Sequence, residues 1–183
     1  HEASARIPMI IHDPRSCADN TRGLIDDRLI EAIDLVPTFL DLSGGEPCPH
    51  TLEGRTLVPV INGQSERIKW RRYAISEADY AWRQARTELA LEADQTRAVM
   101  ITDERWKYIH YEHFRPQLFD LQNDPQEQDD LAEIEGYKKV CEEMSAALFD
   151  WFRQRTNRIT IRNDVVAQQT GKAHSKGYLF GLW

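Results

Sequence analysis

Residues 97–121 read RAVMITDERWKYIHYEHFRPQLFDL. Three runs within it, residues 97–102, 106–111 and 117–121, are rich in Val, Ile, Tyr, Phe and Trp and are broken by short polar stretches, so each reads as a β-strand. Asp103-Glu104 supplies a turn between the first two. With residues 72–76 ahead of them, these runs predict a small antiparallel sheet. Downstream, Tyr137, Val140, Cys141, Met144, Ala147, Leu148, Trp151 and Phe152 recur at steps of three, one, three, three, one, three and one. That is one face of a helix, and the stripe is expected to cover the sheet. Between the first two strands, residues 77–95 are charged and rich in Ala and Arg, a texture that leaves a surface helix and a long insertion both open.

Working back toward the N-terminus, the texture changes at about Gln64. Ile7-Pro8-Met9-Ile10-Ile11 is a continuous apolar run closed by His12-Asp13-Pro14, the pattern of a strand buried on both faces in a mostly parallel sheet. Asp34 is placed to cap a helix through Leu35, Val36, Pro37, Thr38, Phe39, Leu40 and Leu42, with Pro37 in the first turn, where a missing N–H is harmless. Gly44-Gly45 ends that helix, and the apolar run Leu57-Val58-Pro59-Val60-Ile61 stops at the turn pair Asn62-Gly63. The expected organisation is residues 1–63 as the end of an α/β core, 64–155 as an α+β subdomain, and 156–183 as an extended aromatic tail. Tyr178, Leu179, Phe180, Leu182 and Trp183 crowd the end of that tail. A terminus of this kind is expected to dock.

The 183 residues are 41% hydrophobic and 29% charged with a formal net charge of −7, an ordinary composition able to bury a core. The acidic balance argues against a nucleic-acid or anionic-membrane surface, both of which need clustered Lys and Arg. Cys17, Cys48 and Cys141 are odd in number and widely spaced, which suggests neither a disulfide framework nor a CxxC metal pair; a reducing, cytoplasmic compartment is the default, with a periplasmic one still open. No apolar run reaches a membrane span. A chain that opens on His1 without Met and enters a buried-type strand within a few residues is expected to continue upstream.

No complete site emerges from the residues. On a strand, His110 and His113 of His110-Tyr111-Glu112-His113 point to opposite faces and cannot share a metal. Cys17 has Arg15 and Arg22 nearby but no base fixed beside it, and Cys48-Pro49-His50 is a poor geometry for proton transfer. Asp26, Asp27 and Glu31 lack a glycine-turn loop and read as a solvated face. Glu127, Asp129 and Asp130 read as charge favoured at a helix N-terminus. Phosphate-cradling loops, GxSxG and HExxH are all missing from the sequence.

Four blocks in order carry a resemblance. Glu2-Ala3-Ser4-Ala5-Arg6-Ile7-Pro8-Met9-Ile10-Ile11 is the first, and Asp34-Leu35-Val36-Pro37-Thr38-Phe39-Leu40-Asp41-Leu42-Ser43-Gly44 the second. Glu53-Gly54-Arg55-Thr56-Leu57-Val58-Pro59 is the third. The fourth and most specific is Trp106-Lys107-Tyr108-Ile109 followed by Gln117-Leu118-Phe119-Asp120-Leu121-Gln122-Asn123-Asp124-Pro125-Gln126-Glu127 and Asp130-Leu131-Ala132. Together they resemble the closing section of sulfatases of the alkaline-phosphatase superfamily, and within it the phosphonate monoester hydrolases.

The resemblance implies an α/β fold: the end of a mostly parallel sheet of the alkaline-phosphatase type, plus a small antiparallel sheet packed by one long helix. It implies a hydrolase of sulfate, phosphonate or phosphate esters that uses a divalent metal and a formylglycine made from the Cys or Ser of a C-x-P-x-R sequence. Neither Cys17 nor Cys48 has Pro and Arg at the required following places. The family's metal-ligand motifs have no counterpart here, so no catalytic, cofactor-binding or metal role is carried onto any residue. The implied partners are the N-terminal catalytic portion of the same protein and further copies of itself, joined through the tail. A stand-alone binding or assembly module with the same fold is the rival reading.

Overall fold

The computed structural model describes residues 5–46, 48–155 and 160–169. The tail aromatics Tyr178 to Trp183 lie outside the described residues, as do His1 to Ser4. Contacts divide the chain into two compact units, one of residues 1–31 with 59–154 and the other of residues 32–58 with 155–183.

The first unit is built on a four-stranded antiparallel meander of β1 (Ala74–Asp79), β2 (Arg97–Thr102), β3 (Trp106–Tyr111) and β4 (Gln117–Asp120). Its register pairs Ile101 with Tyr108 and Tyr108 with Leu118. Because side chains alternate along each strand, that register puts Val99, Ile101, Tyr108 and Leu118 on one face. All four are buried there with Met144 and Leu148. The last two come from a long helix at Lys138–Gln154. Every member of the apolar stripe read from the sequence packs into or against this core. Ring contacts hold the helix and the turn that leads into it, Trp106 with Tyr137 of that turn at 5.9 Å and His110 with Phe149 at 5.4 Å.

The ambiguous stretch after β1 resolves into three pieces. Residues 77–79 continue the strand, so β1 runs three residues past its expected end. A short helix at Gln84–Glu88 follows, then a 3-10 turn at Ala93–Gln95 closed by a capping box between Glu92 and Gln95.

The run at residues 7–11 differs from expectation. It makes no ladder, and Ile7 and Ile10 are 77% and 93% exposed. A strand of this composition needs a neighbour on each side, and every strand pair among the described residues is antiparallel and lies within the meander. Within the same unit, Thr21 donates from its hydroxyl to the Ile61 carbonyl, and the Trp70 indole N–H donates to the Leu29 carbonyl at 2.8 Å.

The second unit centres on a helix at Leu35–Leu42. Asp34 does not cap it with its side chain. Its backbone is already helical (φ −74°, ψ −17°), whereas an N-cap side chain needs an extended residue to reach the next amides. The carboxylate instead accepts the Arg55 N–H at 2.7 Å. Thr38 donates to the Asp34 carbonyl at 2.6 Å and accepts the Leu57 N–H at 2.9 Å, so both buried polar residues latch the 54–57 segment onto the helix. Gly44 ends the helix in the left-handed region (φ 71°), with Gly45 N–H reaching back to the Leu40 carbonyl at 2.8 Å. Gly54 is sterically obligatory. A Cβ there would stand 2.0 Å from the Ile33 carbonyl oxygen. Past residue 155 a further short helix runs Asn163–Gln169.

Candidate functional site

The most distinctive side-chain cluster is made by the two parts of the fourth sequence block. Lys107 points to the face of β3 opposite the core stripe, where Glu127 from the loop beyond β4 meets its ammonium; each side chain is 1% exposed. Glu127 sits in the left-handed backbone region at φ 54°, a conformation that is costly for a residue with a Cβ. The expectation that Glu127, Asp129 and Asp130 stand at a helix N-terminus is corrected here, since the long helix begins only at Lys138. Helix-start composition and loop-closing carboxylates look alike in sequence.

Asp130 joins this structural role. Burial alone would push its carboxyl up, but hydrogen bonds from the Ala132 and Leu118 amides, both at 3.1 Å, and from Arg115 at 2.7 Å outweigh it and hold it below the ordinary value. Asp120 at the end of β4 is held low chiefly by Arg105, whose guanidinium reaches it at 2.6 Å, with help from Asn123 at 2.8 Å. These carboxylates are consumed in tying the β3–β4 hairpin to the loop after it.

The other candidates scatter. His110 is on β3 against Phe149, but His113 lies in the turn after β3 at φ 64°, so the opposite-face argument does not describe it. Glu31 is not on a solvated face. It accepts the Ile75 N–H on edge strand β1 at 2.7 Å and pairs with Arg71 at 2.8 Å. Asp26 pairs with Arg28 at 2.8 Å. Cys17 is exposed within a 3-10 stretch at Ser16–Thr21, and the half-buried Cys48 donates weakly to the Glu46 carbonyl at 3.6 Å. Cys141, on the long helix, has its thiol pushed up first by burial and then by Asp130 and Glu142, which keeps it protonated and unreactive. Among the described residues no group of three or more His, Cys, Asp or Glu converges as a metal site. No described helix is long and apolar enough to cross a membrane.

A family model described as the C-terminal part of N-sulphoglucosamine sulphohydrolase matches residues 1–154. The chain is a C-terminal portion of a sulfatase-family protein of the alkaline-phosphatase superfamily. This sulfatase portion is 30% identical over 158 residues to the multifunctional alkaline phosphatase superfamily protein PehA of Trinickia caryophylli, covering 85% of this chain and 30% of PehA. It is 25% identical over 166 residues to an arylsulfatase of Clostridium perfringens, covering 91% of this chain and 31% of that enzyme. Its fold matches the crystal structure of the phosphonate monoester hydrolase of Agrobacterium radiobacter with a TM-score of 0.63 at 32% identity, over 70% of this chain and 26% of that one. The chain thus spans about 30% of the length of the relatives it matches. The Lys107–Glu127 pair joins the two halves of the block that carried the resemblance most specifically. Its signal in the sequence was the block itself, without any sign that the two residues meet.

Proposed function

We propose that this chain is the fold-completing, pocket-shaping part of a metal-dependent hydrolase of sulfate, phosphonate or phosphate esters, with the reacting groups supplied by an upstream portion. The observation that carries this is the family match over residues 1–154, supported by relatives that are sulfatases and a phosphonate monoester hydrolase. In the assembled enzyme a divalent cation would polarise the ester and stabilise the developing charge, and a formylglycine would provide the nucleophile. The described residues offer no ligand set for that cation, and no step of the chemistry is assigned to them.

What this chain contributes is apolar surface and a four-stranded meander. Ile7 and Ile10, with Leu24 and Ile25 at 69% and 91% exposure, belong to the same unit as the sheet. Ile7 and Ile10 offer the apolar run at residues 7–11 as a strand for a larger sheet. The aromatic tail is the proposed contact to a second copy.

The reading frame upstream of His1 tests this reading. An in-frame C-x-P-x-R sequence supports it. An initiating Met with no such sequence would favour the stand-alone binding or assembly module.

A further inference from the structure

The connection between β1 and β2 presents Trp82 with 96% of its surface exposed. The connection is not slack. Asp79 accepts the Ala81 N–H at 2.8 Å and the Thr96 hydroxyl at 2.7 Å, closing the base of the loop. Arg86 donates to the Ala81 carbonyl at 2.8 Å and to the Leu91 carbonyl at 3.3 Å, and the Glu92–Gln95 capping box fixes the return. A tryptophan is thereby held in water next to a second anomaly. The Tyr80 hydroxyl is buried and has no hydrogen-bond partner, although its ring is packed edge-on against Tyr111 at 6.2 Å. Buried hydroxyls are normally satisfied, and an indole is among the largest apolar surfaces a side chain can offer.

We infer that the loop carrying Tyr80 and Trp82 is a docking element for the α/β portion that precedes this module in its relatives, with Trp82 entering an apolar recess and Tyr80 acquiring its missing hydrogen-bond partner. The inference rests on the proposed function for the existence of that portion. About 70% of PehA lies outside the match to this chain, so the required surface is large, and a preformed loop loses little entropy on meeting it.

Trp82 oxidation by N-bromosuccinimide, read by mass spectrometry, is compared in the 183-residue chain and in the protein extended upstream. The expected result is several-fold slower modification in the extended protein at concentrations where it is monomeric. Tyr80→Phe separates the second element. Its melting temperature should be unchanged or raised in the 183-residue chain, where the hydroxyl is orphaned, and lowered by about 2–4 °C in the extended protein. Trp82→Ala leaves the isolated chain as stable as before, because the side chain touches little. Equal Trp82 reactivity in both proteins overturns the inference. So does protection that appears only on self-association, which would mark a second copy as the occupant, or only with an aryl sulfate bound, which would mark a ligand. Ester turnover by the extended protein is read separately, so loss of the docking claim leaves the proposed function standing and the reverse is equally visible.

Discussion

Lys107 on β3 and Glu127 beyond β4 form an ion pair in which each side chain is 1% exposed. Removing two charges from water is costly, and their mutual attraction offsets part of that cost. The pair therefore clamps the post-β4 loop to the sheet.

Glu127→Leu should destabilise the chain by about 3–5 kcal/mol, since it removes the carboxylate facing a buried ammonium. The double variant Lys107→Met with Glu127→Leu should recover most of that loss. Urea unfolding of the wild type, both single variants and the double variant checks this, and a double-variant loss equal to the sum of the two single losses would show that the charges are not coupled.

Gly54→Ala should cost on the order of 3 kcal/mol, because the intruding Cβ meets the Ile33 backbone rather than a side chain that can swing away. Hydrogen exchange locates the damage. The Arg55 and Leu57 amides, bonded to Asp34 and Thr38, should lose protection ahead of those in β2 and β3.

Leu148→Ala should cost about 2–5 kcal/mol, as this side chain is fully buried against the sheet. Val36→Ala on the half-exposed side of the first helix should cost far less. Thermal melts of both variants make the comparison.

Asp13 carries a pH prediction. Hydrogen bonds from the Arg15 side chain and backbone hold its carboxyl at about 2, below its model-compound value of 3.8. A depressed carboxyl contributes stability that is present above 3.8 and is lost as pH falls through about 2. An NMR titration should place its midpoint near 2 and return it toward 3.8 in Arg15→Ala.

The meander and its helix were legible because their periods are local. Alternation along residues 97–121 and the spacing from Tyr137 to Phe152 each encode one face, and those faces meet in the core. The strand expected at residues 7–11 was not realised, because its apolar pattern describes neighbours that the described residues do not include. Glu31 and Glu127 depart from their sequence pattern for another reason. Their partners, Ile75 with Arg71 and Lys107, are distant in sequence, and a carboxylate's composition signal does not distinguish a solvated acid from one that closes a loop. The orphaned Tyr80 hydroxyl and the fully exposed Trp82 had no sequence signal at all, since their meaning lies in what does not touch them.

Tail deletion tests the proposed assembly. Removing residues 156–183 from the upstream-extended protein should lower its oligomeric mass in light scattering. Unchanged mass with unchanged activity would show that the tail makes no subunit contact.

In the proposed role this chain completes a hydrolase without supplying its reacting groups. Turnover of an aryl sulfate and an aryl phosphonate monoester, measured with added divalent metal for the 183-residue chain and for the protein extended upstream of His1, tests it most directly. Hydrolysis is expected from the extended protein and none from the chain alone. Steady turnover by the purified chain, abolished by substituting Cys17 or Cys48, would contradict it.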